Sequence, residues 1–154
     1  MSMNGRPTVL FLCPDNGGPS LLAEALAFEA HPDLRAFSAA ALVPGLVDPA
    51  LIACLGGAGL RSDGLAPKPA QLFALSGAPR LDAVVALGEE ARRAMRRLAF
   101  IGPVRSETWQ IPEVPRTAPP GERRAAYDRL LTDLGAALAS LERRIAFRLS
   151  GVAA

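Results

Sequence analysis

The stretch VLFLCPDNGGPSLLAEAL, from Val9 to Leu26, carries the clearest pattern in this chain. It opens on an unbroken apolar run that ends at Cys13, which is typical of a strand covered on both faces. A glycine-rich turn follows, and apolar residues then recur at helical spacing behind Pro19, a residue suited to the first turn of a helix. The stretch therefore predicts a buried parallel strand, a tight loop and a helix.

The same alternation of strand and helix continues along the chain. Further strands are predicted in RAFSAA (35–40), LDAVVALG (81–88) and GPVRSETW (102–109), and further helices in DPALIACLGGAG (48–59), EEARRAMRRLAF (89–100) and 121–149. This order predicts an α/β fold, a three-layer open sheet of four parallel strands with helices on both faces. In such a sheet a functional site forms beyond the C-terminal ends of the strands, where Cys13 stands.

The longest predicted helix has one apolar face. Its residues recur at three- and four-residue steps, and they are Tyr127, Leu130, Leu131, Leu134, Leu138, Leu141 and Ile145. Two stretches rich in proline and small residues, 65–80 and 111–121, are interpreted as ordered loops near the functional end.

Composition limits the classes of function. With 154 residues, half of them apolar, the chain is expected to form a single domain over 1–154. A formal charge of +2 from 17 basic and 15 acidic residues favours neither nucleic acid nor an anionic membrane as a partner. No apolar run reaches the length of a signal peptide or of a membrane span, so a cytoplasmic location is expected. The two cysteines are interpreted as reduced thiols, and one histidine with two dispersed cysteines predicts no metal site.

The motifs in their order resemble the low-molecular-weight protein tyrosine phosphatases, and most closely the bacterial arsenate-reductase-like branch of that superfamily. They are VLFLC, AEAL, FSA, VDPAL, LDAVVAL, ETWQIPE, GERRAAY and LERRI, and the resemblance runs from about Thr8 to Arg148. The resemblance implies a loop in which a cysteine, five intervening residues, an arginine and a serine or threonine wrap an oxyanion. Backbone N–H groups at the start of a helix favour the negative charge of that oxyanion and lower the pKa of the thiol that attacks phosphorus. No cofactor is implied.

The resemblance assigns roles to three loop residues. Cys13 matches the nucleophile, Asn16 matches the asparagine that braces the loop backbone, and Ser20 matches the hydroxyl that supports the leaving thiolate. The implied anion-binding loop consists of Cys13, Pro14, Asp15, Asn16, Gly17, Gly18, Pro19 and Ser20.

Pro19 stands where the family's loop has its arginine. Proline removes the guanidinium and also one backbone N–H, and Asp15 adds a repulsion of about 1 to 4 kcal/mol toward a bound anion. An arginine in a phosphoryl-transfer site contributes on the order of 10³ to 10⁵ in rate. Phosphatase turnover is therefore expected to be severely reduced unless another cation enters, for which Arg61, Arg105 and Lys68 are candidates.

The general acid also departs from the family pattern. Family members carry an aspartate followed by proline in a flexible loop after a tryptophan, and the matching residue in TWQIPEVP is Glu113, followed by Val114. Glutamate can donate a proton, but a placement error of about 1 Å can cost about 10²-fold in rate. Trp109 is interpreted as a loop anchor, with a ligand-facing role left open because its family counterpart borders the site.

Thioredoxin-coupled arsenate reduction is not expected. The reductases of this kind need two further cysteines after the third strand, and those places fall on Gly88 and near Arg96. The second cysteine of the chain, Cys54, is predicted to lie within a helix, and no resolving thiol is left for a disulfide cascade.

Three hypotheses of function follow from the sequence. The favoured one is a degenerate phosphatase-like protein with lost or very weak turnover, which binds a phosphate-like oxyanion, a phosphorylated substrate or an unidentified protein partner. The second is an active phosphomonoesterase that uses Cys13 as the nucleophile and Glu113 as the acid. The third is a thiol redox protein, which requires a lowered pKa at Cys13.

Overall fold

A computed structural model describes residues 5–149 of the chain. Its strands are β1 (Thr8–Cys13), β2 (Arg35–Ala40), β3 (Ala83–Leu87) and β4 (Ser106–Trp109). Its α-helices are α1 (Pro19–Ala30), α2 (Pro49–Gly57), α3 (Glu89–Met95) and α4 (Pro120–Leu149), and short 3₁₀ turns cover Ala70–Ala74 and Ala99–Ile101. The predicted α/β class is confirmed.

The four strands pair in parallel in the order β2-β1-β3-β4. Both central strands are buried along their whole length, which explains why their sequences are unbroken apolar runs. The chain moves from β1 to β2 on one side and then returns to β3 on the other side. The winding therefore switches direction beside β1, and Cys13 lies at the C-terminal end of this switch point.

The side chains of β1 alternate between the two faces of the sheet. Val9 and Phe11 pack in one apolar cluster with α1, α2 and α4, while Leu10 and Leu12 pack in a second cluster with α3 and the two 3₁₀ turns. The predicted apolar face of α4 is buried in the first cluster, except that Leu131 is half-buried. The three-layer arrangement is therefore also confirmed.

The third helix is shorter than the sequence predicts. It ends at Met95 instead of continuing to Phe100, because the N–H groups of Arg97 and Leu98 bond three residues back, to Ala94 and Met95. Leu98 then adopts an extended backbone, and the following 3₁₀ turn brings Ile101 into the core. The stretch interpreted as a loop at 65–80 also contains a 3₁₀ turn, Ala70–Ala74.

Within residues 5–149 no helix is both long and apolar enough to span a membrane.

Candidate active site

The loop from Cys13 to Ser20 is held by hydrogen bonds between its backbone and that of a neighbouring segment. Four of its carbonyl oxygens accept hydrogen bonds from the segment 41–48 that follows β2. The pairs are Cys13 with Ala41 (2.9 Å), Pro14 with Leu42 (3.0 Å), Asp15 with Gly45 (2.9 Å) and Gly17 with Asp48 (2.9 Å). Because these carbonyl oxygens are hydrogen-bonded to the segment 41–48, the loop is held in one shape between β1 and the first turn of α1.

Asn16 braces the loop from within. It is fully buried and has a positive φ of 55°, a region that asparagine tolerates better than most residues. Its Nδ2 donates to Ser20 Oγ at 2.7 Å and to Ser38 Oγ at 3.0 Å, and its Oδ1 accepts from the Lys68 N–H at 3.0 Å. Ser38 Oγ in turn donates to Glu24 Oε1 at 2.5 Å. Both polar atoms of the Asn16 side chain are thus hydrogen-bonded, and they join the loop to β2 and to the backbone of Lys68.

The Cys13 thiol lies at the base of the loop and is only 1% exposed. Its Sγ is 2.9 Å from Ser20 Oγ. Burial raises the pKa of this thiol, although the Ser20 hydroxyl and the N–H groups of Ser20 and Asn16 lower it, and the charge of Asp15 raises it further. The raised pKa disfavours the thiolate, which is the form needed both for attack on phosphorus and for thiol redox chemistry.

The loop has few backbone donors left for an anion. Pro14 and Pro19 have no N–H, and the Gly17 N–H donates to Asp15 Oδ1 at 2.9 Å. The carboxylate of Asp15 therefore takes up the Gly17 N–H as a hydrogen-bond donor. It also places a negative charge beside the space that an oxyanion would enter.

A cavity of about 240 Å³ opens above Cys13. It is lined by Cys13, Pro14, Asp15, Gly18 and Pro19 of the loop, and from the other side by Glu90, Tyr127 and residues 111–116. Glu113 is therefore brought to the same cavity as Cys13, and its side chain is exposed to solvent. Glu90, in the first turn of α3, adds a second carboxylate from this side of the cavity.

Arg116 places a cation beside the loop. Its Nη2 donates to the Leu46 carbonyl at 2.8 Å and lies 3.4 Å from Asp15 Oδ2, and its Nε lies 3.5 Å from Asp48 Oδ2. The guanidinium passes so close to Gly17 that a Cβ at this position would collide with it.

The three cations proposed from the sequence lie elsewhere. Arg61 pairs with Asp63 at 3.2 Å, and Arg105 precedes β4 at the opposite end of the sheet. Lys68 contributes its backbone N–H to Asn16, but its Nζ donates to the Ala66 carbonyl at 3.0 Å. Lys68 therefore supports the loop through its main chain.

A buried carboxylate holds the elements around the loop together. Asp48 is fully buried and caps α2 by accepting the Ala50 N–H at 3.0 Å. It also accepts from Arg123 Nε at 3.2 Å and from the Tyr127 hydroxyl at 3.0 Å. The Tyr127 hydroxyl rests on Gly18, where a Cβ would collide with it.

Sequence reasoning missed the roles of Arg116, Arg123 and Tyr127. One signal was available for Tyr127, because a tyrosine on a buried helix face needs a partner for its hydroxyl. No sequence pattern linked Arg116 to the loop, from which it is separated by about a hundred residues of chain.

Trp109 lies at the end of β4. Its ring packs against Phe11 with the ring centroids 5.8 Å apart, and its Nε1–H donates to Glu107 Oε2 at 3.1 Å. It is not among the residues that line the cavity above Cys13. This placement fits the anchoring interpretation better than the ligand-facing one.

Both cysteines are free thiols. Cys54 lies in α2, where burial, followed by the effect of Asp128, raises its pKa to about 12. Within the described part of the chain, no three histidine, cysteine, aspartate or glutamate side chains are grouped as metal ligands.

Comparison with known proteins gives structural matches only. No protein-family model and no curated protein matches the sequence. Wzb of Vibrio vulnificus, in complex with benzylphosphonate, matches with a TM-score of 0.71 at 15% identity, covering 88% of this chain and 99% of that chain. The YwlE arginine phosphatase of Geobacillus stearothermophilus matches with a TM-score of 0.70 at 18% identity, covering 90% and 94%. An arsenate reductase in its phosphate-binding state matches with a TM-score of 0.64 at 20% identity, covering 87% and 98%.

These matches extend over most of both chains, so they concern the whole fold and not a shared fragment. Because the identities are low, they establish the architecture and leave the chemistry of the Cys13 loop to be argued from its own residues. The resemblance seen in the sequence is confirmed at the level of the fold: the chain has the fold that low-molecular-weight phosphatases and arsenate reductases share.

Proposed function

We propose that this protein is a pseudoenzyme on a phosphatase fold, in which the Cys13 loop no longer hydrolyses phosphate monoesters and the molecule acts by binding. The observation that carries the proposal is the hydrogen bond from the Gly17 N–H to the Asp15 carboxylate, in a loop with proline at position 19. This bond gives an internal carboxylate one of the donors that an oxyanion would need.

The electrostatics of the cavity support the same conclusion. A phosphate dianion above Cys13 would face the carboxylates of Asp15, Glu90 and Glu113, with Arg116 as the one basic side chain among the described residues that line the cavity. Arg116 is already engaged by Asp15 and Asp48. Two like charges about 4 Å apart repel by about 1 to 4 kcal/mol in surroundings between water and a protein surface. The cavity therefore disfavours a dianion.

The first test is hydrolysis of p-nitrophenyl phosphate by the purified protein, with Cys13→Ser as the control for contaminating phosphatases. We expect no turnover above that of the variant. Inorganic phosphate, titrated in a calorimeter, should bind no more tightly than the millimolar range. Robust turnover that disappears in Cys13→Ser would refute the loss of catalysis.

The position of Arg116 favours one alternative, an active phosphomonoesterase in which this residue replaces the missing arginine. In this case Cys13 is the nucleophile, Arg116 neutralises the transferring group and Glu113 protonates the leaving oxygen. Arg116→Ala should then lower kcat by about 10³-fold or more, while Arg97→Ala, an exposed arginine outside the cavity, should leave kcat unchanged.

The binding role is supported by an apolar surface beside the loop. Leu42, Val43 and Leu46 are 42%, 74% and 83% exposed, and they lie in the segment that is hydrogen-bonded to the loop. Large exposed apolar side chains grouped in one short segment favour a protein contact. We propose an apolar segment of another protein as the partner.

A photo-crosslinking residue at position 43 tests this binding role in cells. Adducts should form with a defined partner and should be lost in Leu46→Asp, whereas Leu75→Asp, another exposed leucine, should retain them. Adducts that are insensitive to Leu46→Asp would contradict the role of this surface.

A further inference from the structure

A second cavity lies away from Cys13. It has a volume of about 610 Å³, and it is bordered by α1, the start of β2 and the segment 61–65 that follows α2. It shares no lining residue with the cavity above Cys13. Its volume is within the range of pockets that hold small molecules, roughly 300 to 1,000 Å³.

Three arginines from separate segments line this cavity: Arg6, Arg35 and Arg61. The two carboxylates that line it already have basic neighbours. Asp63 pairs with Arg61 at 3.2 Å, and Glu24 lies 3.9 Å from Lys68 Nζ while also accepting the Ser38 hydroxyl. Asp63 thus neutralises Arg61, but three arginines against two carboxylates leave a net positive charge on the cavity lining.

Arg6 and Arg35 have no ion pair within residues 5–149. They come from neighbouring strand starts, because the Arg35 N–H donates to the Pro7 carbonyl at 2.8 Å. The Arg6 guanidinium uses one Nη2 donor on the Leu34 carbonyl at 3.0 Å. Each guanidinium has five N–H donors in a planar fork, so most of them are available to an oxyanion.

Aromatic rings lie beside two of the three guanidinium groups, those of Arg35 and Arg61. Phe28 is 59% exposed, and the guanidinium carbon of Arg61 lies 4.9 Å from its ring centroid. The guanidinium carbon of Arg35 lies 5.7 Å from the centroid of Phe37. An exposed ring beside a stacked guanidinium is a favourable surface for another flat ring.

We propose that this cavity is a binding site for a small aromatic oxyanion, meaning an aromatic ring that carries one phosphate or carboxylate group. The oxyanion is held by Arg6 and Arg35, and the ring packs against Phe28 and the apolar floor at Leu34. This site is independent of the Cys13 loop and of the proposed loss of phosphatase turnover.

The probes are 1-naphthylmethylphosphonate, which cannot be hydrolysed as an ester, and 1-naphthoate, with the cation 1-naphthylmethylamine for comparison. Calorimetric titration of the full chain should detect binding of at least one of the two anions and much weaker binding of the amine. Whether the phosphonate or the carboxylate binds more tightly identifies the oxyanion, and either order supports the site.

The double variant Arg6→Gln/Arg35→Gln should bind the anion about tenfold to hundredfold more weakly, since a hydrogen bond to a charged group contributes about 1.5 to 3 kcal/mol. The matched control is Arg96→Gln/Arg97→Gln, which removes the same charge from exposed residues outside this cavity and should bind as the unaltered protein does. Equal weakening in both double variants would overturn the proposal, because it would show a response to net charge alone.

Amide chemical shifts of the unaltered protein test the location without any substitution. We expect the anion to shift the amides of residues 6, 34–37 and 61–65. Shifts confined to residues 13–20 and 111–116 would place the anion in the Cys13 loop, and they would overturn the proposed site. Binding of neither anion above the level of the amine would do so as well.

Discussion

At the scale of single residues, the chemistry of the loop is set by what surrounds Cys13. The sequence resemblance implied a thiolate stabilised by backbone N–H groups. The structure keeps the N–H groups of Asn16 and Ser20 near the thiol, but burial outweighs them and raises the pKa. Burying a negative charge costs free energy unless hydrogen-bond donors stabilise it. In this loop the two prolines lack an N–H group, and Asp15 accepts the N–H of Gly17, so fewer donors are available.

The raised pKa of Cys13 gives a direct prediction for thiol reactivity. In the Cys54→Ser variant, alkylation of Cys13 by iodoacetamide should be slow at neutral pH, and its rate should rise only above pH about 9. The rate is followed by mass spectrometry across a pH series, with free cysteine as the reference. A rate that reaches its plateau below pH about 8 would contradict this prediction and would favour the thiol redox hypothesis.

The two substitutions that oppose anion binding can be reversed together. Pro19→Arg combined with Asp15→Asn should tighten the binding of inorganic phosphate by about tenfold to hundredfold, because a guanidinium is added and a competing carboxylate is removed. Pro19→Arg alone should increase the phosphate affinity by a smaller factor, since Asp15 would pair with the new arginine. The measurement is calorimetric titration with phosphate.

Pro103→Arg is the charge control for this experiment, because Pro103 is exposed and precedes β4 at the far end of the sheet. It should not change phosphate affinity. Equal gains in both proteins would mean that net charge, and not the geometry of the loop, controls binding.

At the scale of elements, the loop is positioned by a carboxylate at the start of α2. Asp48 joins this helix to α4 through Arg123 and Tyr127, and it also lies near Arg116. The sequence placed Asp48 at a helix start and Tyr127 on a buried face, and both placements are confirmed. Their contact could not be predicted, because the two residues are 79 positions apart and only tertiary packing brings them together.

The contact between Asp48 and Tyr127 predicts that two substitutions lower the free energy of unfolding by different amounts. Asp48→Ala should lower the free energy of unfolding by about 3 to 5 kcal/mol, because it leaves the largely buried Arg123 without its partner and removes the cap of α2. Tyr127→Phe removes one hydrogen bond and should cost about 0.5 to 1.5 kcal/mol. Urea unfolding measures both values, and equal losses would refute the central role of the carboxylate.

At the scale of the whole molecule, burial of weakly acidic groups makes the fold sensitive to alkaline pH. Cys13 and Tyr127 have raised pKa values because they are buried, and burial raises the pKa of Cys54 to about 12. The unfolded chain releases these protons above the ordinary values of 9.0 for cysteine and 10.0 for tyrosine, while the folded state retains them. Stability is therefore fully present below pH about 9 and decreases as the pH rises above it.

The expected result is a urea midpoint that falls steadily between pH about 9 and 11. Cys54→Ala should show a shallower fall, since one of the groups that couple folding to proton release is absent. Chemical denaturation at fixed ionic strength measures both proteins. A midpoint that is constant or rises over this range would contradict the prediction.

The sequence by itself determined the architecture and the identity of the loop. The apolar run ending at Cys13 predicted a central strand, and strand-helix alternation predicted the layers, because covered parallel strands and amphipathic helices leave local periodic patterns. The loss of the arginine at Pro19 was also visible in the sequence alone.

Only the tertiary structure decided what surrounds that loop. It brought Arg116 and Asp48 beside the loop, kept Arg61, Arg105 and the Lys68 side chain out of its cavity, and turned Asp15 back on the Gly17 N–H. These contacts depend on packing between segments far apart in the chain, and long-range packing leaves no periodic signal in the sequence. The cavity at Arg6 and Arg35 could not be predicted for the same reason, since it forms where two strand starts, α1 and the segment after α2 meet in space.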